Sequence, residues 1–263
     1  MSPTNLHFAS LLLYSISTAL ALARLFQRTR TTLDRAFNVT MAAAFVLHTG
    51  SIIFYSRQAG HIPLTNLFES LQILAWFLVL FFFTALLVTR IAVLSFFVTP
   101  FVLLLSAWSF LLSKQPVAPP QGAATSLFWF HILFSLLGLA GLVIGVAFSW
   151  MYEIQEKSLR NKSSGRLSRL MPSLQTCDRW GRLSVSAGFV LYTFGILHAA
   201  LWSHRSKGTY LDLSAKELGS VLVWVIFAIL LQARMTWGPH GRSQAILGAA
   251  GVAAIIVTLA GIR

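Results

Sequence analysis

Apolar runs long enough to cross a bilayer recur from one end of this 263-residue sequence to the other. A helix rises about 1.5 Å per residue, so roughly 20 such residues span a hydrocarbon core of about 30 Å. About eight segments qualify, near 5–26, 36–56, 67–89, 91–112, 126–152, 183–203, 218–236 and 244–262. Lipid offers no partner to an unpaired peptide group, so only helices and closed barrels cross it. Barrel strands would alternate in short segments, and these runs do not. The sequence therefore predicts an all-α integral membrane protein, one polytopic domain over 1–263 with about eight transmembrane helices. With 56% hydrophobic and 10% charged residues, a soluble domain is excluded.

The net charge of +13 is distributed rather than clustered on one binding face. If the N-terminus is outside, fourteen of the twenty Lys and Arg fall on the inner side, from Arg24, Arg28, Arg30 and Arg35 to Arg234 and Arg242. The other six, Arg57, Lys114, Arg205, Lys207, Lys216 and Arg263, fall outside. That bias obeys the positive-inside rule and places both termini on the outer, periplasmic side of a bacterial cytoplasmic (inner) membrane. The basic 155–182 segment reads as a cytoplasmic loop facing anionic lipid, with a short interfacial helix around Leu167–Leu174. Nucleic-acid binding is not expected, because no aromatic platform interleaves the charges. One cysteine, Cys177, excludes an internal disulfide or a CxxC pair. The first apolar segment lacks a basic leader and reads as a retained helix.

Ionisable groups are costly within a bilayer and tend to mark function. The few carboxylates, Glu69 among them, fall mostly at predicted helix ends near water. No Walker loop, GxSxG or HExxH is present, so motif-defined enzymes lack support and a binding or regulatory role is expected. His131 lies about a turn into the fifth predicted helix and His198 near the outer end of the sixth, at similar depth. Two neutral imidazoles there could ligate a haem iron, or each could simply bond a neighbouring helix. His204 is expected in the following outer loop, His61 in an earlier one, while His7 and His240 look ordinary. Glycines at 138, 141 and 145, and at 248 and 251, read as close helix packing. Trp108, Trp129, Trp150, Trp202 and Trp237 read as interfacial anchors.

Four segments together resemble the haem-handling superfamily of cytochrome c assembly proteins, of the CcsA/ResC type, and its HemX-like branch. They are GHIPLTNLFES at 60–70, FHILFSLLG around His131, LMPSLQTCD at 170–178, and the polar island at 203–217 with the helix after it. The last is similar to the family's external tryptophan-rich (WWD) loop. It keeps Trp202, Gly208, Tyr210, Lys216, Glu217, Trp224, Phe227, Arg234 and Thr236. Lys207, Leu211 and Leu213 stand where the family has tryptophan, Ser214 replaces an aspartate, and Gln232 replaces a membrane histidine.

The resemblance implies haem as the bound group, with His131 as an external ligand to its iron. His198 or His204 would be the second ligand, and Trp202, Tyr210 and His61 would take part in binding. Two functions follow. One is presentation of haem at the outer face for c-type cytochrome biogenesis, alongside other assembly proteins. The other is a HemX-like regulator or scaffold of haem biosynthesis, partnered with its enzymes. The altered loop and short C-terminal part point to the second, and intact GHIPLTNLFES with His131 to the first.

Overall fold

The computed structural model describes residues 2–24, 31–112, 115, 117–118, 125–162, 168–237 and 241–261. Arg28, Arg30, Lys114, His240 and Arg263 lie outside the described residues, as do Leu167 and the side chain of Trp237. Among the described residues there is no strand. Eight helices are long and apolar enough to cross a membrane: α1 Pro3–Ala23, α2 Thr31–Ala59, α3 Leu67–Thr89, α4 Leu94–Leu111, α5 Ser126–Arg160, α6 Leu174–Lys207, α7 Ala215–Trp237 and α8 Gly241–Ala260. The chain is thus a multi-pass helical membrane protein. Its helices cluster in two compact units, Met1–Pro119 and Pro120–Arg263.

In the first unit α1 packs on α2 and α4, and α3 on α4. Ser2 caps α1 by accepting the Asn5 amide at 3.2 Å, with Pro3 at the first helical position, where no N–H is needed. At the other end of α1, Arg24 pairs with Asp34 of α2 at 2.5 Å and donates to Ser95 of α4 at 3.3 Å. Its guanidinium also lies 4.8 Å above the Phe37 ring. One side chain therefore ties three helix ends together.

The second unit is built on α5, whose residues from Gly138 to Ser149 are all buried. The glycine stripe expected from sequence lies against α6, which supplies glycines of its own. A Cβ on Gly188 would meet the Leu142 amide nitrogen at 2.7 Å, and one on Gly145 would meet that of Val185 at 2.9 Å. The backbones touch, as small residues permit in membrane helices. Gly248 of α8 faces Val146 of α5, and Gly251 faces the Phe227 ring of α7.

Helix ends differ from the sequence reading. α5 continues to Arg160 and α6 begins at Leu174, so much of the basic 155–182 segment is helical. In place of an interfacial helix at 167–174 there is a 3-10 turn, Ser168–Leu170. Pro172 has no N–H to continue it, and Ser173 then caps α6 by accepting the Thr176 amide at 3.2 Å. α6 also runs past the expected boundary to Lys207, leaving Gly208–Ser214 as the irregular part of the polar island.

Candidate functional site

His131 of α5 reaches across to α6 close to His198. His131 Nδ1 lies 2.9 Å from the carbonyl oxygen of Gly195, one turn before His198 on α6. A carbonyl only accepts, so Nδ1 carries the proton and the Nε2 lone pair is left unprotonated. His198 repeats the arrangement within its own helix, its Nδ1 lying 2.7 Å from the Phe194 carbonyl oxygen. The His198 ring packs against Phe130 and Phe134 of α5, with centroids 5.8 and 5.5 Å away. The two imidazoles therefore stand about a turn apart along α6 and in the same tautomer, with aromatic rings packed on His198. A ligating histidine is commonly held in this way, with the second nitrogen fixed by a backbone carbonyl. Roughly two and a half turns of α6 follow His198, so it is further from the helix end than expected.

Trp202 packs on Phe128 of α5, centroids 5.2 Å apart, toward the same end of the pair. His204 is not in a loop: it occupies the last turn of α6, because the helix runs on to its left-handed cap at Gly208 (φ 78°). There its ring lies flat on Tyr210, centroids 4.1 Å apart and planes 3° from parallel. Two side chains of the predicted set are thus brought into direct contact.

Polar side chains fix the shape of the 208–214 segment. Asp212 pairs with Lys207 and accepts from the Thr209 hydroxyl at 2.7 Å. Glu217 accepts the Asp212 amide at 2.6 Å, and its own amide donates to Ser214 at 3.3 Å, capping α7. Both the Lys207 ammonium and the Thr209 hydroxyl favour the ionised Asp212 carboxyl and hold it below the usual aspartate range. Leu213, at φ 52°, is forced into the left-handed region by this closure. The apolar side chains Tyr210, Leu211 and Leu213 are left outermost, 55%, 55% and 68% exposed. Gly208 and Glu217, kept from the motif, and Lys207 and Ser214, which replace its residues, together shape the segment, while kept Tyr210 and replaced Leu211 and Leu213 supply its outer face.

A family model described as "Cytochrome C assembly protein" matches residues 64–263. The chain belongs to the cytochrome c assembly family. Among curated relatives, "Cytochrome c biogenesis protein CcsA" of Chlamydomonas reinhardtii is 32% identical over 202 residues, covering 74% of this chain and 56% of that protein. The chain thus spans just over half of that relative. The proteins of the same description from Guillardia theta and a Synechococcus strain are 28% and 29% identical. There the alignments cover 98% and 99% of this chain and 91% and 93% of those proteins.

The family motif at 60–70 does structural work in the first unit. Asn66 caps α3, its side-chain oxygen accepting the Glu69 amide at 2.9 Å. The Glu69 carboxylate, expected near water, is 1% exposed. Its oxygens accept from the Tyr55 hydroxyl (2.8 Å), the Thr65 amide and hydroxyl (2.6 and 3.0 Å) and the Asn66 amide group (2.8 Å). Those four donors replace the water a helix end would have provided. His61 belongs to this unit, its Nδ1 donating to the Ile62 carbonyl at 2.9 Å while Nε2 is buried without a partner among the described residues.

Sequence reasoning missed a second buried cluster in this unit. His48 bonds Tyr14 at 3.1 Å through Nδ1 and Gln72 through Nε2, and Gln72 reaches His7 at 2.8 Å. Ser109 completes the chain, 3.3 Å from both Gln72 and His7. His7 is therefore not an ordinary terminal residue but is 1% exposed among four helices. The only hint in the sequence was that His7, His48 and Gln72 interrupt apolar runs. Among the described residues, no group of three or more His, Cys, Asp or Glu side chains converges as a metal-binding set.

Proposed function

We propose that this protein binds haem as cargo at the outer face of the bacterial cytoplasmic membrane and presents it for c-type cytochrome biogenesis. The observation that carries this reading is the His131–Gly195 hydrogen bond, which fixes the tautomer with Nε2 as the free lone pair. A haem iron takes such a nitrogen axially, and aromatic neighbours suit the porphyrin face. The residues present thus fit one axial ligand, His131. His198, in the same tautomer on the facing helix, is the better-placed candidate for the second. His204 is held against Tyr210, and the two add flat ring surface beside the apolar Leu211 and Leu213. Thioether bonds would form on the cysteines of an apocytochrome, so the chain itself binds and orients without supplying a catalytic group.

The description shared by the curated relatives favours assembly over regulation of haem synthesis. Other assembly proteins are the expected partners. Two measurements test the reading. The Soret band of purified wild-type protein should shift or fall in His131→Ala; a stoichiometric band unmoved by that change would refute the ligand assignment. A deletion strain should lose haem-stained c-type cytochromes, and normal levels would refute the biogenesis role.

A further inference from the structure

Arg234 is the buried cation that the outer-face site does not use. It lies in the last turn of α7, is 5% exposed, and donates through Nη2 to the Ser149 hydroxyl of α5. Its Nε and Nη1 are buried and have no hydrogen-bond partner among the described residues. A guanidinium cannot shed its proton under ordinary conditions, so neutralisation is no escape from burial. Leaving a buried charge uncompensated is strongly destabilising. Asp178 of α6, the carboxylate whose field reaches Arg234, is already paired with Arg182 at 2.8 Å.

The surroundings are arranged for the guanidinium. Gly181 of α6 leaves it room, since a Cβ there would come within 2.8 Å of Nη1 and 3.2 Å of the Phe148 Cβ. Ser149 fixes one edge of the fork and leaves Nε and Nη1 to other acceptors. The same end of the second unit carries Arg179 and Arg182 in the first turns of α6, with Arg179 lying 6.0 Å over the Trp180 ring. With Arg182 paired to Asp178, Arg179 is the further cation there, and Glu153 and Glu156 stand beside Gly241 of α8 as opposing carboxylates.

We infer that Arg234, framed by Ser149 and Gly181, is an oxyanion-binding site that takes the carboxylate or phosphate of a membrane amphiphile. An amphiphile suits it because the guanidinium is enclosed by helices that cross the bilayer, where an anion attached to an apolar body arrives more readily than a hydrated one. The ligand chemistry can come from a phospholipid headgroup or from a haem propionate. The site is independent of His131 and stands whether or not haem binds at the outer face.

Thermal unfolding of the delipidated full-length protein in a neutral detergent, with defined additions, tests this. Phosphatidylglycerol, phosphatidylcholine, haem and haem dimethyl ester are added separately, the haem arms in a His131→Ala, His198→Ala background so that outer-face binding is silent. Binding at saturating ligand is expected to raise the midpoint by about 5 °C or more. A rise with phosphatidylglycerol but not phosphatidylcholine identifies a lipid phosphate; a rise with haem but not its ester identifies a propionate. Either rise should vanish in Arg234→Gln and shrink in Ser149→Ala. Arg234→Gln without any addition should unfold no lower than wild type, because it removes an uncompensated charge. Equal responses of wild type and Arg234→Gln to every addition would overturn the assignment. So would a ligand-free Arg234→Gln that unfolds well below wild type, which would make Arg234 a structural cation already satisfied within the fold.

Discussion

Glu69 shows how a carboxylate can remain buried in a membrane helix: four donors, from Tyr55, Thr65 and Asn66, surround its two oxygens. Glu69→Ala should lower the unfolding free energy by about 1–3 kcal/mol or more, the cost of leaving buried donors without their acceptor. Glu69→Gln should recover only part of this, since its amide would point donors at the Thr65 amide. Denaturant unfolding in micelles reads both, and a loss below about 1 kcal/mol for the alanine variant would contradict the account. Asp212 makes a different prediction, one of pH. Its folded carboxyl titrates below the ordinary aspartate value because Lys207, then Thr209, bonds the ionised form. Order in the segment should therefore be complete above that value and be lost as pH falls through the depressed one. A nitroxide on Leu211→Cys in a Cys177→Ser background should sharpen its spectrum in that acid window and stay unchanged between pH 5 and 8. These residue-level roles were only partly legible in the sequence. GHIPLTNLFES could be read as a motif, but a hydrogen-bond acceptor needs its donors in space, and Tyr55 lies fourteen residues away.

At the scale of elements, the glycine contacts decide how closely α5 and α6 approach. Gly188→Ala places a methyl group 2.7 Å from the Leu142 amide nitrogen and 2.9 Å from the Gly138 carbonyl oxygen, on backbone that cannot swing aside. The expected cost is about 1–3 kcal/mol of overpacking. A parallel substitution at Gly60, where nothing lies within 4 Å, meets only the strain of its φ of 73°. Comparing the two by thermal unfolding separates packing from backbone conformation; equal losses would argue against a close seam. The existence of the helices followed from run length alone, and α3 has the ends expected of it. The ends of α5 and α6 did not follow, because a hydropathy argument stops where charge begins. Helix hydrogen bonding does not stop there, and arginines and lysines are good helix formers. With 35 and 34 residues, these helices are each about 50 Å long, well beyond a hydrocarbon core of about 30 Å.

For the molecule as a whole, the proposed function depends on which side of the membrane each end faces. His131, His198 and the 208–214 segment cluster toward one end of the α5–α6 pair, and Arg160, which ends α5, and Leu174, which begins α6, lie at the other. We propose, from the charge balance, that the first end faces outside. Alkaline phosphatase inserted after Thr209 should therefore be active, and a green fluorescent protein inserted after Asn161 should fluoresce. The reverse pattern would invert the topology and remove the case for haem presentation at the outer face. The sequence carried the family and the number of spans because both rest on long stretches of chain. The division into two compact units was not legible, since it depends on which helices touch rather than on what each contains.

The segment after α6 carries a lesson about how such proteins change over time. Its outline is drawn by Gly208, Asp212, Ser214 and Glu217, while Tyr210, Leu211 and Leu213 merely ride on it. Exchanging Tyr210 or Leu211 would change the outer chemistry there without touching the hydrogen bonds of the outline beneath. Lineages that share the fold can therefore part ways in what they hold.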